Sequence, residues 1–449
     1  MTENLSAGRY IELIRRNYSL YILTNRAIPS ICDGLKCAAR RILWTARNGE
    51  KIKSATLAGA TMPIHPHAPP ESAINTMAAP YGNNIPLLQG YGAFGTLIAP
   101  DAYSASRYTS VMLSQFTKDA IMVDMDLIPM QENYDSSLKE PMHFLPIIPV
   151  VLLNSTEGIA IGYSCNILPR RLTDIIQSQI NVLDKKDISS KVLIPYFKPL
   201  NQQGELAEGT TDKWSFKGSF VRKDSTTITI TSLPYGLTHN KMVTNEDSRL
   251  NKLLDEEKIL DYDDKSKNVI EIDVKFKRGV LSELSDDQIY KMFGLVCNST
   301  ENMTILNYDH SSVLQTDVKT IITTFTEWRL TWYVDRYKLL KRKLKVDIQK
   351  YQDIMMAISN QAGHVASSKK DKEDFKTWLK SIGIVNDEYI ASLPTYRYTK
   401  REYDINKEKL DNALLLLEEY NNIISNEQLR RDIYKRELNN LLKQYGEKV

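Results

Sequence analysis

NRAIPSICDGLKCAARRILWTARNGEKIK, residues 25–53, is the stretch on which the reading of this chain turns. It holds seven basic side chains (Arg26, Lys36, Arg40, Arg41, Arg47, Lys51, Lys53) against two acidic ones, Asp33 and Glu50, a local surplus of five positive charges. Leu35, Ala39, Ile42 and Leu43 share one face of a helix, and Lys36, Arg40 and Arg47 lie off it. A short helix with a basic outer face before a turn is what a helix-turn-helix presents to DNA phosphates, although a solvated surface helix has the same pattern. The whole 449-residue chain carries a net charge of only +3, so a nucleic-acid surface has to come from such local clustering.

Downstream, HPHAPPESAINTMAAPYG (residues 65–82) sets His65 and His67 two apart, on the same side of an extended segment. No cysteine or carboxylate cluster completes a metal site there, and donation to phosphate oxygens suits the pair better. QGYGAFG (89–95) is a tight glycine loop without the lysine and flanking elements of a phosphate-binding fingerprint. In SASRYTSVMLS (104–114), Arg107 directly precedes Tyr108; among 24 tyrosines, one such residue is by itself a packing residue. Asp124 and Asp126 form an Asp-x-Asp that lacks the strand and acidic partner of a Mg²⁺ site, so no metal is assigned to this chain, and no ATPase motif is visible.

Four cysteines form no CxxC pair, which suits reduced thiols in a cytoplasm. The most apolar run, FLPIIPVVLL (144–153), is too short to span a bilayer, and the first residues lack the pattern of a secretory signal.

Three textures follow one another. Residues 1–170 alternate helical patterns with Pro-, Gly- and His-rich loops. Residues 171–315 contain period-two runs, TTITITSLPYG (226–236) and NVIEIDVKFKRG (268–279), and read as a mixed α/β domain. Residues 316–449 open with a run free of glycine and proline from 317 to about 358, in which apolar residues recur at three- and four-residue steps and Lys341, Arg342, Lys343 and Lys345 fill other faces. A second long helical pattern covers about 400–445, and a compact apolar set lies between them. The expectation is an antiparallel two-helix coiled coil with a small helical knob at about 363–400.

The ordered series NRAIPSICDGLKCAARRIL, HPH, ESAI, QGYGAFG, SASRYT, NYDSSLKEP and FLPIIPVVLLNSTEGIAIGYSCNILP resembles, end to end, the DNA breakage–reunion subunit of type II DNA topoisomerases, the gyrase A protein and its relatives. In length it is most similar to the separate-chain medium subunits of T-even phage topoisomerases. The resemblance implies an α+β multidomain fold: a winged-helix DNA-gate domain, an α/β tower and a coiled coil ending in a dimer-forming exit gate. It implies that Tyr108 attacks a DNA phosphorus to give a 5′-phosphotyrosyl bond. A phenol is a weak nucleophile at neutral pH and needs a nearby cation, the role implied for Arg107. Arg26, His65 and His67 are implied as donors to the phosphoryl oxygens. Lys36, Arg40 and Arg41 are implied to hold the DNA backbone, and Ile159 to be a DNA-bending wedge.

The resemblance further implies a homodimer joined at the DNA gate and the exit gate. Mg²⁺ and ATP would be bound by TOPRIM and ATPase subunits on separate chains, and the complex would act on double-stranded DNA in a cytoplasm, the host's in the case of a phage. Lacking the glycine-rich motif and repeats that wrap DNA, the chain points to relaxation and decatenation rather than negative supercoiling. Ala39, the loop Ala68–Pro69–Pro70 and Tyr91 depart from the family pattern. The rival reading is a non-catalytic architectural DNA-binding dimer of the same fold.

Overall fold

The computed structural model describes residues 7–66, 70–160 and 162–446. The chain forms two compact units, residues 1–329 with 437–449, and residues 330–436. The first two expected domains thus share one unit, together with the last turns of the C-terminal helix.

In the first unit, the helix Ala7–Ile22 runs directly into a π-helical turn, Leu23–Ala27. Three short helices follow, Cys37–Thr45, Ser54–Thr61 and Glu71–Ala78. Beside them stands a three-stranded antiparallel sheet with Ser110–Leu113 between Ile52–Lys53 and Leu88–Tyr91. The register sets both Lys53 and Tyr91 opposite Ser110, so the SASRYT turn ends where the central strand begins. Val111 and Leu113 are buried from that strand. The apolar run 144–153 is core: Phe144, Leu145, Ile148, Val151, Leu152 and Leu153 are all fully buried. Gly34, at φ +67°, allows that run to approach, because a Cβ there would lie 2.1 Å from the Val151 nitrogen.

The period-two runs form strands with the expected alternation. Thr227–Ser232 and Ile272–Lys275 pair at the centre of a four-stranded antiparallel sheet flanked by Ser219–Arg222 and Asp261–Asp264. Ile228, Ile230, Ile272 and Val274 face Leu250, Leu253, Ile289 and Phe293 in one apolar core. The helix Asp286–Phe293 that closes this core begins at a Ser285–Gln288 capping box and ends at Gly294 in the left-handed conformation.

The second unit is helical. It contains most of the 42-residue helix Val318–Ser359, then Ala362–Ser368, Lys372–Ser381, Asp387–Ala391 and Lys400–Ser425, and the start of Glu427–Tyr445. Tyr333 packs against Tyr434 with tilted rings 5.1 Å apart and Tyr337 meets Tyr420 edge-on at 5.4 Å, which sets the two long arms antiparallel. Ile354, Ala357, Phe375, Leu379, Ile384 and Ile390 form a small core between the arms' ends. Buried Asp353 ties the first arm to it by accepting from the Asn386 backbone N–H at 2.8 Å and side-chain Nδ2 at 2.7 Å. The second arm is not one helix, as its periodicity predicts, but two. It breaks at Asn426, whose Oδ1 caps Gln428 N at 2.9 Å, while Arg430 donates to the freed carbonyls of Ile423 and Ile424.

Candidate active site

Tyr108 is 66 % exposed, in a turn closed by its own N–H donating to the Ala105 carbonyl at 2.9 Å. The Arg107 guanidinium lies over its ring, 4.7 Å from the centroid. The turn is fastened on three sides. Lys53 Nζ donates to the Tyr108 carbonyl at 3.3 Å, Ser106 Oγ donates to Glu71 Oε1 at 2.8 Å, and Thr109 Oγ1 donates to the buried Ser54 Oγ at 2.7 Å. The backbone is therefore held by two helix starts and a strand end, and the phenol is left in solvent. A rigid turn with a projecting hydroxyl and an adjacent cation is the geometry a nucleophile needs to reach an external phosphate.

A second group of residues gathers around the π-helical turn. Arg26 is exposed on it, and one turn earlier Tyr21 Oη is hydrogen-bonded to His65 Nε2 at 2.7 Å, so His65 is oriented by the N-terminal helix. The His65 ring also meets Tyr134 edge-on at 5.5 Å. Lys36 Nζ donates to the Glu157 carbonyl, and burial pulls its ammonium below its ordinary value. That bond fixes Lys36 to the hairpin formed by Thr156–Ala160 and Tyr163–Ile167. Gly158 seats the same hairpin on the turn, since a Cβ there would stand 2.1 Å from the Ala27 carbonyl oxygen. Ile159 then projects from the hairpin at 89 % exposure, with none of the burial expected of a core isoleucine.

Two of the residues implied to hold the DNA backbone, Arg40 and Arg41, are buried instead. Arg40 is 3 % exposed and grips Asp33 with two bonds, Nε to Oδ2 at 2.6 Å and Nη2 to Oδ1 at 2.9 Å. Arg41 is 7 % exposed and makes the same two-point contact with Glu140, at 2.5 and 3.0 Å. Neither guanidinium is available to hold a DNA backbone, because each already satisfies a buried carboxylate. Burial alone would raise the Asp33 carboxyl, yet Arg40 and the Phe144 N–H hold it below its ordinary value. Nearby His310 donates to or accepts from Ser30 Oγ at 2.7 Å, and burial together with the Arg40 charge pushes its imidazole down to about 4.

Asp124 pairs with the fully buried Arg329 at 2.5 Å, which accounts for one half of the Asp-x-Asp. Among the described residues no group of three or more His, Cys, Asp or Glu side chains is gathered to hold a metal. His67, Ala68 and Pro69 lie outside the described residues.

The sequence matches the family described as DNA gyrase/topoisomerase IV, A subunit, over residues 26–439. The chain belongs to this DNA gyrase/topoisomerase IV family. It is 31 % identical to the DNA topoisomerase medium subunit of Enterobacteria phage T4 over 336 residues, 71 % of this chain and 72 % of that one. It is 26 % identical to the DNA gyrase A subunit of Kosmotoga olearia over 96 % of this chain, and 32 % identical to DNA topoisomerase 2 of Bombyx mori over 81 % of it. The aligned stretch spans 56 % of the Kosmotoga protein and 24 % of the Bombyx one.

Three residues of this candidate site were not singled out from the sequence: Lys53, Glu71 and Tyr21. Lys53 was visible only as one more cation in the basic cluster, and what makes it a neighbour of Tyr108 is the pairing of its strand with Ser110. Glu71 stands in the quoted ESAI motif, but its partner Ser106 is 35 residues away.

Proposed function

We propose that this chain is the DNA-cleaving and rejoining subunit of a type II DNA topoisomerase, with Tyr108 as its nucleophile. The observation that carries the reading is the projecting Tyr108 with Arg107 stacked on its ring, in a turn braced from three sides. Tyr108 Oη attacks a backbone phosphorus. The phenol proton is given up as the Oη–P bond forms, the P–O3′ bond breaks, and the departing 3′ oxygen takes a proton. Rejoining is the reverse step, and since one phosphodiester bond is exchanged for another it consumes no ATP.

Arg107 stabilises the phenolate as it develops. Arg26, His65 and His67 donate to the phosphoryl oxygens, Lys36 contacts the DNA backbone, and Ile159 enters the base stack to bend the duplex at a cost of a few kcal/mol. Arg40 and Arg41 have no part in this beyond supporting the fold. Two copies cut the two strands and a second duplex passes through the break. ATP hydrolysis and Mg²⁺ belong to partner subunits on other chains. Relaxation and decatenation, in a cytoplasm, are the outcomes assigned to the complex.

The test is covalent trapping on end-labelled duplex DNA with partner subunits and Mg²⁺, comparing the native chain with Tyr108→Phe. A 5′-linked adduct that vanishes in the variant is expected. An adduct that survives moves the nucleophile elsewhere. No adduct from either chain, with DNA still bound, leaves the architectural dimer.

A further inference from the structure

The densest like-charge run of the chain lies in its longest helix, and the function proposed above does not use it. From Arg336 to Lys345 there are six basic residues and no acidic one. Within it, Lys338, Lys341, Arg342 and Lys345 fall at i, i+3, i+4 and i+7, so they form a single stripe about two turns long on one side of Val318–Ser359. Buried Tyr333 lies on a different side, and the buried Ile348, seven residues after Lys341 and three after Lys345, ends the stripe at its C-terminal edge. Lys338, Arg342 and Lys345 are exposed and Lys341 half-buried.

Carboxylates do little to neutralise the stripe. Lys338 has Asp335 at 3.5 Å, with both side chains more than half exposed and so well screened. Lys341, Arg342 and Lys345 make no ion pair among the described residues. Lys338 repels Arg342, and Lys341 repels Lys345, each pair at the i,i+4 spacing at which like charges weaken a helix. An unpaired basic stripe along a helix is the electrostatic footprint of a polyanion partner.

We infer that this stripe contacts the phosphates of double-stranded DNA, and that its duplex is the one passed through the break. The inference rests on the function proposed above. The stripe consists of lysine and arginine alone, and a contact it makes to phosphates carries no sequence information. Four charges over two turns give a weak, salt-sensitive hold. A duplex about to be cut must be fixed in register, whereas one in transit must be held loosely and let go.

The experiment compares the native full-length chain with a K338Q/K341Q/R342Q/K345Q variant, both with partner subunits, helix content being matched by circular dichroism. Covalent adduct on a linear duplex reports cleavage, the rate of relaxation of a supercoiled plasmid reports passage, and duplex affinity of the chain alone is measured against salt. Adduct yield is expected to stay within about twofold. Relaxation should slow at least several-fold at physiological salt, and the log–log salt slope of binding should become shallower by about two to four, near 0.9 for each phosphate no longer neutralised. Unchanged relaxation together with an unchanged slope overturns the inference. A parallel loss of adduct assigns the stripe to the cleaved duplex and overturns it too. Absence of adduct from the native chain sinks the proposed function, and the salt slope then still decides whether the stripe binds DNA.

Discussion

The helix Cys37–Thr45 and the stretch 336–345 of the longest helix are both rich in basic residues, and the fold puts their charge in opposite places. In the first, Arg40 and Arg41 turn inward onto Asp33 and Glu140; in the second, Lys338, Arg342 and Lys345 face solvent with little or no acidic company. What separates them is the supply of carboxylates. Asp33 precedes its arginine by seven residues and is itself fully buried, and Glu140 arrives from a strand 99 residues away. A buried carboxylate recruits the nearest guanidinium, whose planar fork fits it at two points. Where none is buried nearby, the cations stay in water. The same residue type is a structural strut in one place and a surface charge in the other.

The contrast breaks most visibly at Arg40. Arg40→Ala leaves Asp33 buried and uncompensated, and should lower stability by about 3–5 kcal/mol, read from denaturant titration. A loss below about 1 kcal/mol would mean that water reaches Asp33 and that the pair is not the strut described. The next effect is in pH. His310 has its folded value pushed down to about 4, against an ordinary value of 6.5. The unfolded chain takes up a proton that the folded chain refuses, so stability is full above about pH 6.5 and falls as pH drops toward 4, by roughly 3 kcal/mol. The lowered Asp33 carboxyl adds a loss in the same direction at still lower pH. His310 sits at φ +58°, which asparagine tolerates, so His310→Asn should flatten the profile between pH 6.5 and 4 without backbone strain. A profile of unchanged steepness would place the titrating group elsewhere. Smaller again is Arg41→Lys, which keeps the charge but gives up the two-point contact with Glu140 and should cost about 1–3 kcal/mol by thermal melting.

These positions also mark how far the sequence could be read. The strands at Thr227–Ser232 and Ile272–Lys275 and the long helix were legible, since each is written in a local period. Arg40 and Arg41 were not, because exposure is decided by which carboxylate the fold brings alongside, and for Arg41 that carboxylate is remote in the chain. The break at Asn426 was missed for another reason. No glycine or proline marks it, apolar spacing continues through it, and the side-chain cap that stabilises it is a single asparagine. Lys53 became a neighbour of Tyr108 only through strand register, which periodicity does not give.

The smallest expected effect has the most informative sign. Neutralising Lys338, Lys341, Arg342 and Lys345 to glutamine removes no buried contact, so an ordinary surface change would fall within about 0.5 kcal/mol of zero. Here it also removes two like-charge i,i+4 repulsions, each worth about 0.2–0.5 kcal/mol, and glutamine is as good a helix former as lysine. The variant should therefore be slightly more stable than the native chain at low salt, and the gain should fade by about 1 M salt as screening removes the repulsion it relieves. Arg40→Ala has the opposite sign and little salt dependence, because its partner is out of solvent. Thermal melts of both variants at low and high salt separate the two cases in one experiment. A stripe variant that is less stable at low salt would show that these cations do have carboxylate partners, and the difference between the two helices would then be one of degree. A salt-dependent gain would mean that the free chain tolerates a repulsion along 338–345 that a bound polyanion would relieve.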